Sequence, residues 1–212
     1  MRHSPLLLAL PLLAAAPLLA EQPASRPGSP NPAAVTAGSY AADPDHTLVE
    51  WEVDHLGFSP YFGLFGDVTG TLQLDPKNLA AAKVDVTIPV AKIITASGGL
   101  TQHLLRAPAT AAGKPDFFGA SPADARFVST KVVPHGRNAT ITGNLTLNGV
   151  TRPVVLEASF HGAGKGPPQM GNKENVGFRA TATIRRSDFG LGFGVPMVSD
   201  EVKLKIAAAF MK

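Results

Sequence analysis

The sequence predicts an all-β protein of eight amphipathic, antiparallel strands with one short helix in the 91–124 connection. Three observations carry that prediction. Apolar and polar residues alternate with period two in eight separate runs, each run keeps one polar face, and several runs are joined by short turns rich in Gly, Asn and Pro. A strand wetted on one face alternates in this way, whereas the parallel strands of an α/β protein, covered on both faces, read as unbroken apolar runs.

Before the first run stand two segments of different character. Residues 1–20, MRHSPLLLALPLLAAAPLLA, place Arg2 and His3 ahead of sixteen apolar or small residues broken by Pro11 and Pro17. That is the form of a cleavable secretory signal, too short and too interrupted for a comfortable membrane span. Cleavage after Ala20 leaves 18 basic and 16 acidic residues, a mature charge of +2. Residues 21–39 carry four prolines and almost nothing to fill a core, and read as a disordered or polyproline-like spacer. The folded domain is expected over 40–212.

The first run, 48–55, sets Val49, Trp51, Val53 and His55 against Glu50, Glu52 and Asp54. A helix would scatter those three acids around its circumference. The second and third runs put Val68, Gly70, Leu72 and Leu74, then Val84, Val86 and Ile88, on one parity. Between 91 and 124 the alternation stops, and the Leu-rich piece around Leu100–Arg106 supplies the helix. The fourth run, 126–133, alternates least cleanly. The fifth and sixth, 140–147 and 154–160, flank Asn148-Gly149, a strong signal for a two-residue hairpin turn. The seventh aligns Phe178, Ala180, Ala182 and Ile184, and the last aligns Val202, Leu204 and Ile206.

Composition narrows the function. Charged residues make up 17% of the 212, and Lys and Arg are dispersed, so no stripe tracks a nucleic-acid backbone. With no cysteine, disulfides and thiolate metal sites are excluded. Eight such strands can form a sandwich or a closed barrel, and a closed barrel of this size is either filled by side chains or holds one small ligand. Gly70, Gly143, Ala158, Ala180 and Ala182 share the inward parity with Trp51, Phe160 and Phe178. Small residues facing one another leave an apolar space, while small residues facing large ones interdigitate, and composition leaves both open.

Motifs decide further. Asp43-Pro-Asp-His46-Thr, Val53-Asp-His55-Leu-Gly-Phe-Ser59, Gly70-Thr-Leu-Gln-Leu-Asp75, Gln102-His103-Leu104, Asp116-Phe-Phe118, Arg126-Phe-Val-Ser-Thr130, Thr142–Val154 and Arg186-Ser-Asp-Phe-Gly190 occur in this order. With them residues 40–211 resemble the YceI-like family of polyisoprenoid-binding, lipocalin-like periplasmic proteins. The resemblance implies a lipocalin-like antiparallel barrel in the periplasm, enclosing a long isoprenoid, quinone-tail or fatty-chain lipid as its ligand, with no cofactor. The chain departs from the family pattern at Thr101, where Asp is usual, and in additional residues between Leu104 and Asp116.

The candidate ligand-facing residues come from these runs and motifs. They are Trp51, Val53, His55 and Phe58 on the first strand and its turn, then Phe62, Phe65 and Gly70. Ile88, His103, Leu104, Phe117 and Phe118 come from the third run and the excursion, and Phe127 and Gly143 from the fourth and fifth runs. Phe178, Ala180, Arg186, Asp188 and Phe189 complete the set. Parity puts Arg186 and Asp188 inward at a strand end, as an ion pair closing the barrel or as a holder for a polar head. His46, His55 and His103 lack a compact ligand spacing, so backbone hydrogen bonds are expected of them and no metal. No Gly-x-Ser-x-Gly elbow is present, and Gly162–Gly166 and Gly190–Gly194 read as loops, not phosphate cradles.

Lipid binding and carriage without catalysis is therefore the expectation, with transient membrane contact and a monomeric or homodimeric state. The alternatives are an enzyme acting on a sequestered lipid or quinone through Arg186, Asp188 and His55, and a filled barrel that binds protein through the 91–124 excursion.

Overall fold

The computed structural model describes residues 26–212, so the signal segment expected over 1–20 lies outside the described residues. Eleven strands follow in order: β1 Gly28–Ser29, β2 Gly38–Ala42, β3 Leu48–His55, β4 Ser59–Phe65, β5 Thr69–Leu74, β6 Lys83–Ile88, β7 Ala125–His135, β8 Asn138–Leu147, β9 Val150–Lys165, β10 Glu174–Arg185 and β11 Glu201–Met211. The helix, α1, spans Gly98–Leu104, with Ser97 capping it by accepting from the Leu100 amide.

All pairings are antiparallel and the wall closes on itself through β9–β8–β7–β6–β5–β2–β11–β10 and back to β9. Two of the eight walls are bent strands made of two pieces. β2 and β3 run the same way along β11, with Ala42 opposite Phe210 and Leu48 opposite Ala207. β4 and β5 lie against β3 and β2 in turn. The barrel is thus eight-stranded, as the periodicity predicts, but β2 and β4 were not legible as strands in their own right. β4 is a Pro- and aromatic-rich run without alternation, and β2 falls at the edge of the stretch read as spacer.

That spacer reading does not hold from Gly28 on. Gly28 and Ser29 pair with Gly164 and Ala163 of β9, strapping the N-terminal segment over the wall. Gly162 and Gly164 leave room for this strap, whose Ser29 and Pro27 carbonyls sit where side chains would otherwise stand. Gly162–Lys165 is therefore strand and not loop.

The untidy fourth run has a simple cause. The β7–β8 register shifts between Ser129 and Lys131, so Phe127 and Val132 both face inward despite opposite parity. A second shift between Gly177 and Phe178 does the same on β9, turning both Phe160 and Ala163 inward. Asn148 and Gly149 adopt φ of 50° and 75°, the two-residue turn their sequence predicts. Outside, Lys205 and Lys203 of β11 meet Glu50 and Glu52 of β3 at 2.9 and 3.5 Å, which uses the acidic parity of the first run.

The connections divide between two rims. The lower rim holds the β5–β6, β7–β8 and β9–β10 turns, the strap and the C-terminus. The upper rim holds the β3–β4 and β8–β9 turns, the 91–124 excursion and the 186–200 loop. The wall parts above β5, where β4 and β6 do not pair, and the excursion fills the gap through an isolated bridge between Leu64 and Ile94.

Candidate functional site

Inward residues of every wall surround a cavity of about 980 Å³ that runs the length of the barrel. At ~30 Å³ for a water-sized group, that is room for roughly thirty methylene-sized groups. Val49, Leu72, Val86, Leu156, Ala180 and Ile206 illustrate its middle, which is hydrocarbon. The lining reaches exposed residues at both ends: Pro134, Arg137 and Asn138 below, His55, Phe193 and Gly194 above.

Of the candidate residues, Trp51, Val53, His55, Phe65 and Ile88 line this lumen. So do His103, Leu104, Phe117, Phe118 and Phe127 from the excursion and β7, and Phe178, Ala180 and Arg186 from β10 and its end. Six do not. Phe58 and Phe62 point to solvent, 87% and 59% exposed. Gly70 makes a close backbone approach to Asp85 at a φ of 128°, so it serves the sheet and opens no space. Gly143 is covered by the Phe127 ring, and Gly63 by Trp51 in the same manner, so these glycines seat aromatic rings. Vacancy in the lumen comes instead from the girth of the barrel and from alanines such as Ala158 and Ala180. Phe189 is buried in the wall beside Phe127 and Leu191, off the lumen.

The sixth, Asp188, is exposed and makes no pair with Arg186. A four-residue 3-10 turn, Arg186–Phe189, breaks the strand parity on which that pair was counted. Arg186 is 94% buried and its donors go to main-chain carbonyls. Nε donates to Ser199 at 2.8 Å, Nη1 to Phe193 at 2.8 Å and to Leu191, and Nη2 to Val198 at 2.8 Å. Burial lowers the guanidinium pKa, partly offset by the nearby Asp200 carboxylate. A delocalised cation that carries its charge at any ordinary pH suits such a site. It gathers the 191–199 loop over the upper mouth.

The excursion is fastened by a second polar cluster. His103 Nε2 and Arg106 Nη2 lie 2.7 and 2.8 Å from Asp116 Oδ2, and together they hold that carboxyl below its usual range. His46 meets Asp43 at 2.8 Å, so two of the three histidines pair with carboxylates and not with backbone. Thr101 accepts from the Thr95 amide at 3.1 Å and pins the approach to α1. The segment between Leu104 and Asp116 closes on itself through Arg106 and Asp116.

Trp51 and Tyr61, neighbours on β3 and β4 with ring centroids 6.5 Å apart, both line the upper lumen. Trp51 Nε1 and Tyr61 Oη are buried without a hydrogen-bond partner. Neither was legible as an orphan in sequence, because nothing local records where a partner is missing.

A closed antiparallel barrel around a large apolar lumen defines the class: a ligand-enclosing barrel of the lipocalin-like kind. A YceI-like domain model matches residues 40–210, and the chain belongs to that family. It is 38% identical over 177 residues to protein YceI of Escherichia coli, covering 82% of this chain and 87% of that one. A UPF0312 protein of Pectobacterium atrosepticum is also 38% identical over 177 residues, covering 82% and 86%. Among solved structures, BcnA of Burkholderia cenocepacia superposes with a TM-score of 0.65 at 25% identity, covering 79% of this chain and 98% of that one. A polyisoprenoid binding domain from Saccharophagus degradans shares the fold at 11% identity, with a TM-score of 0.55 over 81% and 97%.

Proposed function

We propose that the protein binds one long apolar lipid, a polyisoprenoid, quinone tail or fatty chain, inside the barrel and carries it in the periplasm after export. The observation that carries this reading is the continuous hydrocarbon lumen. Burying on the order of 400 Å² of chain at ~25 cal/mol/Å² yields about 10 kcal/mol, against association costs of several kcal/mol. Binding of that strength needs no catalytic group. Ten-residue strands at ~3.3 Å per residue, tilted ~40°, make a wall roughly 25 Å tall, so a long prenyl chain bends or protrudes. The polyisoprenoid binding named for the Saccharophagus degradans domain supports this choice of ligand.

Two of the three polar groups that an enzyme would use are committed elsewhere or turned away. Arg186 spends its donors on main-chain carbonyls and Asp188 faces solvent away from it, which supports a carrier over an enzyme. The export reading rests on residues 1–20 alone.

Trp51 is the single tryptophan and lines the lumen, so it reports occupancy directly. A long-tail quinone delivered from detergent is expected to quench its fluorescence to a one-to-one end point. Ala180→Phe, which extends a ring into the lumen, is expected to abolish the quench while the protein stays folded. Absence of quenching by any prenyl compound, together with solvent extracts free of stoichiometric lipid, would sink the proposal.

A further inference from the structure

Large apolar side chains are exposed unevenly over the molecule. Leu56, Phe58, Phe193, Val195 and Met197 crown the upper rim, with Phe62 and Ile94 just below on the outer face beside β4. Phe58 is 87% exposed and Met197 67%. The patch is one body: the Leu56 amide donates to the Met197 carbonyl at 2.9 Å, and His55 bridges Val198. Three segments meet there, 55–64, 93–102 and 189–199, and none contains Asp, Glu, Lys or Arg.

The β3–β4 turn sharpens the point. Leu56 and Gly57 take φ of 62° and 70°, nearly the geometry of Asn148-Gly149 on the same rim. A left-handed Leu costs on the order of 1 kcal/mol where Asn or Gly would cost less. The strain is accepted, and its product is an apolar side chain held outward at the apex. An exposed patch of this kind marks an interaction surface.

The occupant follows from continuity with the lumen. His55, Phe193, Gly194 and Val198 line the cavity, while Leu56, Val195 and Met197 directly beside them in sequence face out. Phe193 does both, packing edge-on against His103 and Phe117 while half exposed. We propose that the upper rim is a docking tip that inserts into the interface of an electrically neutral lipid bilayer, placing the lumen mouth against the acyl layer. This rests on the lipid-carrier reading for its cargo, but the contact is a property of the tip alone. With no charge on the three segments, attraction is apolar and independent of anionic lipid.

Flotation of the exported protein, residues 21–212, with phosphatidylcholine vesicles tests it, with Phe58→Ser/Met197→Ser as the comparison. The wild type is expected to float with vesicles and to keep doing so across about a tenfold range of salt. The double variant is expected to lose at least roughly 80% of that binding, and to slow Trp51 quenching by quinone-loaded vesicles by a similar factor. Quenching by detergent-delivered quinone is expected to be unchanged. Both side chains are exposed, and an unaltered unfolding midpoint confirms that the variant folds; Phe62→Ser is a second variant should it not. The proposal is overturned if the wild type stays in solution, if both proteins float equally, if binding requires anionic lipid or collapses with salt, or if the tip is covered by a second copy. Failure of detergent-delivered quenching would instead remove the cargo reading and leave the flotation result to decide the tip.

Discussion

The two ends of the barrel are closed by different means. At the lower rim the sheet itself does the closing. β9 and β10 stay paired out to Lys165 and Glu174, and Glu174 and Lys212 exchange main-chain hydrogen bonds at 3.1 and 3.0 Å. Lys77, Arg137, Lys165, Lys173 and Lys212 stand in or beside the turns of that rim, together with Asp75 and Glu174. At the upper rim the wall parts, and the loops there are held by a few charged side chains, Arg186 and the His103–Asp116–Arg106 cluster among them. An end closed by a continuous ladder opens only when the sheet unravels, whereas one closed by isolated side chains opens locally. The upper rim is therefore the gate, and it is also the end that shows apolar side chains to its surroundings.

The strongest way to break this contrast is to remove the clasp. Arg186→Met keeps a long apolar stem but leaves the Leu191, Phe193, Val198 and Ser199 carbonyls without their donor. Hydrogen bonds to a buried charge run to ~1.5–3 kcal/mol each and are not additive, so a loss of about 3 kcal/mol or more is expected in urea unfolding. Hydrogen exchange should quicken across 191–199 while 166–174 stays protected. Equal exchange at both rims would mean that the ends are not independent.

Acid is the next lever. The Asp116 carboxyl is held below its ordinary value by His103 and Arg106, and the Asp200 carboxyl by the Ser187 amide and hydroxyl and by Arg185. An acid with a depressed folded-state pKa contributes stability that is complete above the unfolded value of ~4 and fades as pH falls through the lower folded one. Glu174 at the lower rim is depressed too, first by Thr36 and then by Lys212, but the ladder beneath it does not depend on that charge. Below about pH 4, exchange at 104–118 should rise before exchange at the lower rim. Asp116→Asn should show the same loosening at neutral pH. A lower rim that loosens first would reverse the assignment of gate and anchor.

What the sequence revealed of this contrast depends on how local each cause is. Alternation is local, so a strand in each of the eight walls, the lumen-facing parity of Trp51, Val53 and His55, and the turn at Asn148-Gly149 are legible. Bulges at Thr130 and His161 reverse parity without a sequence mark, and β4 lacks alternation altogether. The glycines misled in an instructive way. Gly143 looked like a hole in the wall, but its neighbour across the sheet is Phe127, and the ring takes the space. Arg186 was found because parity aimed it inward; its partners were missed because they are carbonyls in a loop folded back over it. Phe58 and Phe62, expected in the lumen from the first strand's motif and the run after it, face out, and only the fold shows it.

The smallest expected effect compares two tyrosines. Tyr40, near the lower rim, is fully buried and donates its hydroxyl to the Thr36 carbonyl at 2.6 Å. Tyr61, near the upper rim, buries its hydroxyl with no partner. Removing one member of a made hydrogen bond leaves a polar group unsatisfied and costs ~1–3 kcal/mol, whereas removing a hydroxyl that had no partner recovers its desolvation. Tyr40→Phe should therefore lower the thermal midpoint, and Tyr61→Phe should leave it unchanged or raise it by a few degrees, about 1 kcal/mol for a domain of this size. Thermal unfolding of the lipid-free protein measures both. The sign of the difference is the informative quantity: equal losses would mean that the Tyr61 hydroxyl has a partner after all, and that the upper end is as well satisfied as the lower.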